Sequence, residues 1–188
     1  MTLSPPRHTA GRAPRAGLRA LAIVASLVLG VALPSSAFAW DANSFSASDE
    51  QLLVTLTNQS RASAGLPALQ VDAVLADIAR WRSKDMIDRD YFSHSIPPAG
   101  GKVFGILEAE EYCFTLAGEN IGWNTHSDGV ATEWIHQAFL DSPGHRTNIV
   151  AVPWNAIGVG AYKGPDGTKV WTVLFADRCD VARLPPGA

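Results

Sequence analysis

Residues 157–177 read IGVGAYKGPDGTKVWTVLFAD. Ile157, Val159 and Ala161 alternate with Gly158, Gly160 and Tyr162, the period of two expected of a half-buried strand. In GPDG, residues 164–167, Pro165 presets a bend and Gly167 tolerates positive φ, so Lys169 to Asp177 is expected to return antiparallel. The returning segment VWTVLFA is apolar on both faces, which requires cover on both faces. A sheet held between two helix layers satisfies that requirement.

Working back from this hairpin, the chain before it has the spacing of helices. Ser48 followed by Gln51 reads as a capping box, and Leu52, Leu53, Leu56 and Ala62 carry a helix over about 49–63 until Gly65 stops it. Asp72 can cap a second helix whose apolar stripe runs through Val74, Leu75, Ile78, Ala79 and Met86, with Asp77, Arg80, Lys84 and Asp88 on a solvated side. YFSHSIPPAGG, with two prolines and two glycines, holds Ser93, His94 and Ser95 in irregular backbone. A short helix is expected over Val103–Glu111, and LAGENIGWN reads as loop or short strand. Asp128 then opens a helix with Val130, Ala131, Trp134, Ala138 and Phe139 on one face, ending near Asp141 before SPGHR.

Upstream of Trp40 lies the grammar of an export signal. Arg7, Arg12, Arg15 and Arg19 precede an apolar run from Leu21 to Leu33, and Ala37-Phe38-Ala39 is a cleavage motif, so residues 1–39 are expected to be removed. The run is shorter than the roughly 20 residues that cross a bilayer, and no later stretch is long enough, so a secreted protein, periplasmic or extracellular, with no membrane span is expected. The 149 residues that remain carry 11 basic and 18 acidic side chains, a net charge of −7. Scattered Lys and Arg at that balance argue against nucleic acid as a partner. Cys113 and Cys179 are the only cysteines, and in an oxidising compartment an even pair favours a disulfide over two free thiols. The division is 1–39 signal peptide, 40–48 a short N-terminal segment, 49–180 one domain, and 181–188 a tail.

Three loop-like segments carry polar chemistry: FSHS with His94, GEN with Glu119 and SPGHR with His145. Taken singly, each has a plainer structural explanation, such as a hydrogen-bonded histidine or a helix stop. Together with LTNQSRASAGLPAL, ADIARWRSKDM, YFSHS, AGENIGWN, FLDSPGHRTNIV, NAIGVGAY and VWTVLFAD in order, they resemble a bacterial member of the SCP/CAP superfamily of cysteine-rich secretory, antigen 5 and pathogenesis-related 1 proteins. The resemblance covers about residues 50–177. It implies an α+β fold, a three-layer α-β-α sandwich with a small antiparallel sheet. It also implies that His94, Glu119 and His145 converge in a cleft.

The second glutamate of the fuller family tetrad has no match: Phe139 stands at a usual tryptophan position, Ser142 where the acid would be, and Glu133 is a poor substitute. His94 and His145 as metal ligands, with Glu119 completing the shell or orienting a ring, would suit zinc or another divalent cation. Neither HExxH spacing nor a GxSxG elbow is present, and Ser93 and Ser95 beside His94 do not make a nucleophile and base pair, so no residue is assigned a catalytic role. His126 and His136 are expected at the surface. Trp123, Trp134, Trp154 and Trp171 could line an apolar groove, but core packing is favoured. Asn58, Arg61 and Asn120 are expected to be structural hydrogen-bond partners.

Two functions follow as expectations. The leading one is non-catalytic binding, by a monomer, of a small apolar or lipid-like ligand or a cell-surface component, with a divalent cation optional in the cleft. The rival is a metal-assisted hydrolase acting on peptide or cell-wall material. A surface-only role with a vestigial cleft is the third possibility.

Overall fold

A computed structural model describes residues 39–179; the leader expected above, apart from Ala39, and the tail lie outside the described residues. The elements in chain order are β1 (Ser44–Phe45), α1 (Ala47–Ser63), β2 (Gln70–Val71), α2 (Ala73–Asp88), α3 (Val103–Ala109), β3 (Phe114–Asn124), α4 (Ala131–Asp141), α5 (Pro143–Ile149), β4 (Ala156–Lys163) and β5 (Lys169–Arg178). Among the described residues, no helix is long and apolar enough to cross a membrane.

The predicted hairpin forms as expected: β4 and β5 pair antiparallel from Ala156↔Ala176 to Lys163↔Lys169, turning through Gly167 at φ 88°. The sheet runs β1-β4-β5-β3, with β2 paired parallel to the start of β4, so β3 is a free edge. Alternation sorts the strands between two layers. Ile157, Val159, Ala161, Trp171, Val173 and Phe175 face Leu53 and Val54 of α1, Ile135 and Phe139 of α4, and Ile149 of α5. Leu174 and Ala176 face Leu75, Ile78 and Ala79 of α2 and Val103 and Leu107 of α3. The two-sided apolar strand therefore has the helical cover that its composition demands, and the α-β-α sandwich is confirmed.

Gly158 and Gly160 set how closely that cover sits. A Cβ on Gly158 would lie 2.2 Å from the Leu75 carbonyl carbon, and one on Gly160 would lie 2.3 Å from that of Ala79. The backbone of α2 therefore rests directly on β4. Asp72 caps α2 as expected, its carboxylate accepting from Leu75 N at 3.0 Å.

Several sequence expectations need correction. Ser46, not Ser48, caps α1: its extended backbone and its Oγ, 3.3 Å from Asp49 N, begin the helix at Ala47. The segment around GEN, expected as loop or short strand, is the 11-residue strand β3, because pairing with β5 supplies what its glycines and polar residues do not. SPGHR opens a helix of its own, α5, with Pro143 at the start, where a missing N–H costs nothing. Helix α4 begins at Ala131, and Asp128 instead accepts from Lys163, Lys169 and Trp40 N.

The buried face of α4 is Ala131, Thr132, Ile135, His136 and Phe139, leaving Trp134 at 56% exposure. A stripe drawn through Trp134 puts the helix out of phase, which is why the sequence places His136 outside. It is buried at 8% exposure, its Nε2 3.2 Å from Ser60 Oγ. His126 is exposed, as expected, and stacks on Trp134 with ring centroids 4.8 Å apart. Trp154 and Trp171 are core residues, whereas Trp123 is 54% exposed.

The structural hydrogen bonds assigned to Asn58 and Arg61 are present. Asn58 exchanges both amide bonds with Leu69, and the fully buried Arg61 donates to Pro67 O, Ile149 O and Ala151 O. Cys113 and Cys179 are disulfide-bonded, tying the start of β3 to the end of β5.

Candidate functional site

Glu119 is a buried residue on the edge strand β3, paired across the sheet with Leu174, and its side chain points into the α2 layer. Burying a carboxylate there requires a partner. Arg82 of α2, also fully buried, supplies it: Nε donates to Glu119 Oε1 at 3.1 Å. The rest of the guanidinium donates to Tyr91 Oη at 2.5 Å and to Ser93 O, fastening the irregular segment after α2. The Tyr91 hydroxyl donates onward to Asp85 Oδ2 at 2.5 Å. Burial, then the hydrogen bond to Asp85, raises the Tyr91 pKa. For Asp85 the desolvation effect is outweighed by donors from Arg89 and Tyr91, and its pKa falls below the usual carboxylate value.

The fastened loop delivers His94. Its Nδ1 lies 2.6 Å from Glu119 Oε2, so the carboxylate is shared between a guanidinium and an imidazole. His94 is half-exposed and its Nε2 remains the nitrogen that can face a ligand. Glu119 thus meets the His94 ring at Nδ1.

His145 arrives from the opposite layer, at the start of α5. Asn120, on the face of β3 opposite Glu119, donates to His145 O at 3.0 Å and accepts from Asn148 at 2.8 Å, which is the structural role expected of it. The imidazole packs on Phe139 with ring centroids 5.1 Å apart. Burial, and secondly the nearby charge of His94, lower the His145 pKa below the ordinary imidazole value. The site is therefore assembled around the free edge of β3, with one histidine from each helix layer.

Among the described residues, no three His, Cys, Asp or Glu side chains are grouped to hold a metal ion. Glu119 Oε1 accepts from Arg82 and Oε2 meets His94 Nδ1, and the two imidazoles come from opposite layers. Glu133 is exposed on α4, and Ser142 links α4 to α5; neither replaces the missing second glutamate. Ser93 Oγ accepts from Ser95 N at 3.0 Å and is not paired with His94.

An open groove of about 620 Å³ adjoins this cleft at the far end of α2, lined by Met86, Tyr91, Phe92, Trp123 and Val170 among others. His94, Glu119 and His145 do not line it; Tyr91 connects the two, since it lines the groove and accepts from Arg82. Sequence reasoning missed Arg82, and of the four tryptophans it offered as groove-lining, Trp123 alone lines this groove. The signal for Arg82 was its position: three residues beyond Ala79 and four before Met86, it falls on the buried stripe of α2.

Residues 54–175 match the sequence model of the CAP, or cysteine-rich secretory protein, family. The chain belongs to the CAP family. Its CAP domain is 35% identical over 126 residues to the uncharacterized protein YkwD of Bacillus subtilis, an alignment covering 67% of this chain and 46% of that protein. It is similar to a solved extracellular SCP-domain protein of Bacillus anthracis at 39% identity and a TM-score of 0.60, covering 70% of this chain and 41% of the other. An outer surface protein of Borrelia burgdorferi shares the fold at 20% identity and a TM-score of 0.64, with 72% of this chain and 98% of the other covered. The chain thus spans less than half the length of the two Bacillus relatives.

Proposed function

We propose that this CAP domain is an exported binding protein that holds a small apolar or lipid-like ligand in the groove beside the His94, Glu119 and His145 cleft. Removal of residues 1–39 and release as a monomer belong to this reading, supported by the leader grammar and by the extracellular description of the Bacillus anthracis relative. The observation that carries it is the groove itself. Its floor is the buried Met86 and Val170, and its walls include Phe92 and Trp123, 48% and 54% exposed. Large aromatic rings left half in water on the wall of an apolar concavity are the surface a hydrophobic ligand would cover. The test is solvent extraction of protein secreted by an exporting host, followed by mass spectrometry. Wild type should carry an enriched apolar compound that Trp123→Asp loses; equal recovery from both, or none from either, contradicts the reading.

A second reading, metal-assisted hydrolysis of peptide or cell-wall material, is favoured by one observation. Glu119 meets His94 at Nδ1 and not at Nε2, the outer-shell arrangement common behind metal-bound or proton-transferring imidazoles. A divalent cation such as zinc, held by His94 and His145, would supply Lewis acidity and acidify a bound water. Calorimetry with Zn²⁺ at pH 7.5 and 5.5 tests the site, because imidazole protonation weakens binding. A hydrolytic activity lost in a folded His94→Ala variant would establish the second reading over the first.

A further inference from the structure

Trp40 is the first buried residue of the described chain, with Ala39 exposed before it and Asp41, Ala42 and Asn43 exposed after it. Its indole is 6% exposed, packs edge-on against Trp171 at 5.7 Å, and donates Nε1 to Ser44 O at 3.0 Å. Its backbone is held at both ends. The carbonyl accepts from Lys163 Nζ at 2.6 Å, and the nitrogen donates to Asp128 Oδ2 at 3.0 Å. Asp128 also receives Lys163 at 3.1 and 3.2 Å and Lys169 at 3.0 Å. These four contacts match the roughly four lone-pair positions of a carboxylate. Lys163 and Lys169 face each other across the β4–β5 pair, and Lys169, at 3% exposure, spends its remaining reach on His126 O at 2.7 Å.

We propose that the Asp128–Lys163–Lys169 cluster is a docking site for the chain's own mature amino terminus, the α-amino group of Trp40. The inference rests on the export reading. A leader peptidase adds water across the Ala39–Trp40 bond, Ala39 leaves as a carboxylate with the leader, and Trp40 keeps the nitrogen as an amine. That amine keeps its donor aimed at Asp128, the carboxylate that Lys163 and Lys169 also contact. Cleavage one residue later would strip the indole from its place beside Trp171 and leave Lys163 without the Trp40 carbonyl. Among the described residues the first buried side chain thus follows directly after the Ala-Phe-Ala motif, and processing at this bond leaves the anchored residue in place.

The full chain, leader included, is expressed in an exporting host, and the secreted protein is analysed by intact mass and terminal sequencing. It is then acylated near pH 8, folded and unfolded, and mapped by peptide. Trp40 should be the first residue, and its α-amine should react about tenfold more slowly in the folded protein than after unfolding, as for a group released only by local opening. Asp128→Asn should bring the folded rate up to the unfolded one. Should that variant not fold, the wild-type comparison decides alone. A Trp40 amine labelled equally fast in both states overturns the docking site while leaving export and ligand binding intact. A retained leader or a terminus elsewhere overturns both the docking site and the export reading.

Discussion

A guanidinium with no exposed surface needs acceptors on every side, and Arg82 finds them in Glu119, Tyr91 and the Ser93 carbonyl. Removing it strands the Glu119 carboxylate in the α2 layer. Arg82→Met should therefore cost about 3–5 kcal/mol in urea unfolding, and Arg82→Lys should recover little because an ammonium lacks the planar fork. His136 gives a second prediction at this scale. Burial lowers its pKa below the ordinary value of 6.5. The unfolded chain then binds that proton more tightly, so stability rises with pH through the window just below 6.5 and is lost on acidification. His145 is shifted in the same direction. The urea midpoint should therefore fall from pH 7.5 to 5.5 in wild type, and fall less in His136→Gln; an equal fall in both would contradict this account. At this scale His94, Glu119 and His145 were legible in their motifs. Arg82 was not, because a charge on a helix is read as solvated unless its buried counter-charge, 37 positions away, is known.

The helix and strand elements show where period alone suffices and where it fails. The β4–β5 hairpin announces itself by alternation and a Pro-Asp-Gly turn, and its two apolar faces imply both helix layers. β3 does not announce itself: Gly118, Glu119, Asn120 and Gly122 are poor strand formers, and the segment is extended because β5 pairs with it along its length. Likewise α4 is legible as a helix but not in its rotation, since Trp134, a large aromatic, faces water. The glycines of β4 are the sharpest element-scale test. Gly160→Ala puts a methyl into the α2 backbone, and the cost should reach or exceed the about 1–3 kcal/mol of an overpacked core. Gly105→Ala, on the open face of α3 with nothing within 4 Å, should instead stabilise by about 0.4–1 kcal/mol. Thermal unfolding of the two variants would show opposite shifts.

For the whole molecule, the Cys113–Cys179 bond closes the edge of the sheet by joining residues 66 apart, β3's start to β5's end. Cys113→Ser should lower stability by about 4 kcal/mol on the chain-entropy account of a loop this long, read from denaturant midpoints. The fold was legible at this scale because several family motifs recur in order through one compact domain. The groove was not, since its walls come from α2, the loop after it, β3 and the β4–β5 turn, which only folding brings together. What unites the scales is the edge of β3, where Arg82 from one layer fixes Glu119, Glu119 fixes His94, and the opposite layer contributes His145. The imidazole nitrogen resonances of His94 at pH 8 test that chain most directly. A ring held by Glu119 should carry its proton on Nδ1 and lose that preference in Glu119→Gln; a proton on Nε2 in the wild-type protein would contradict the account.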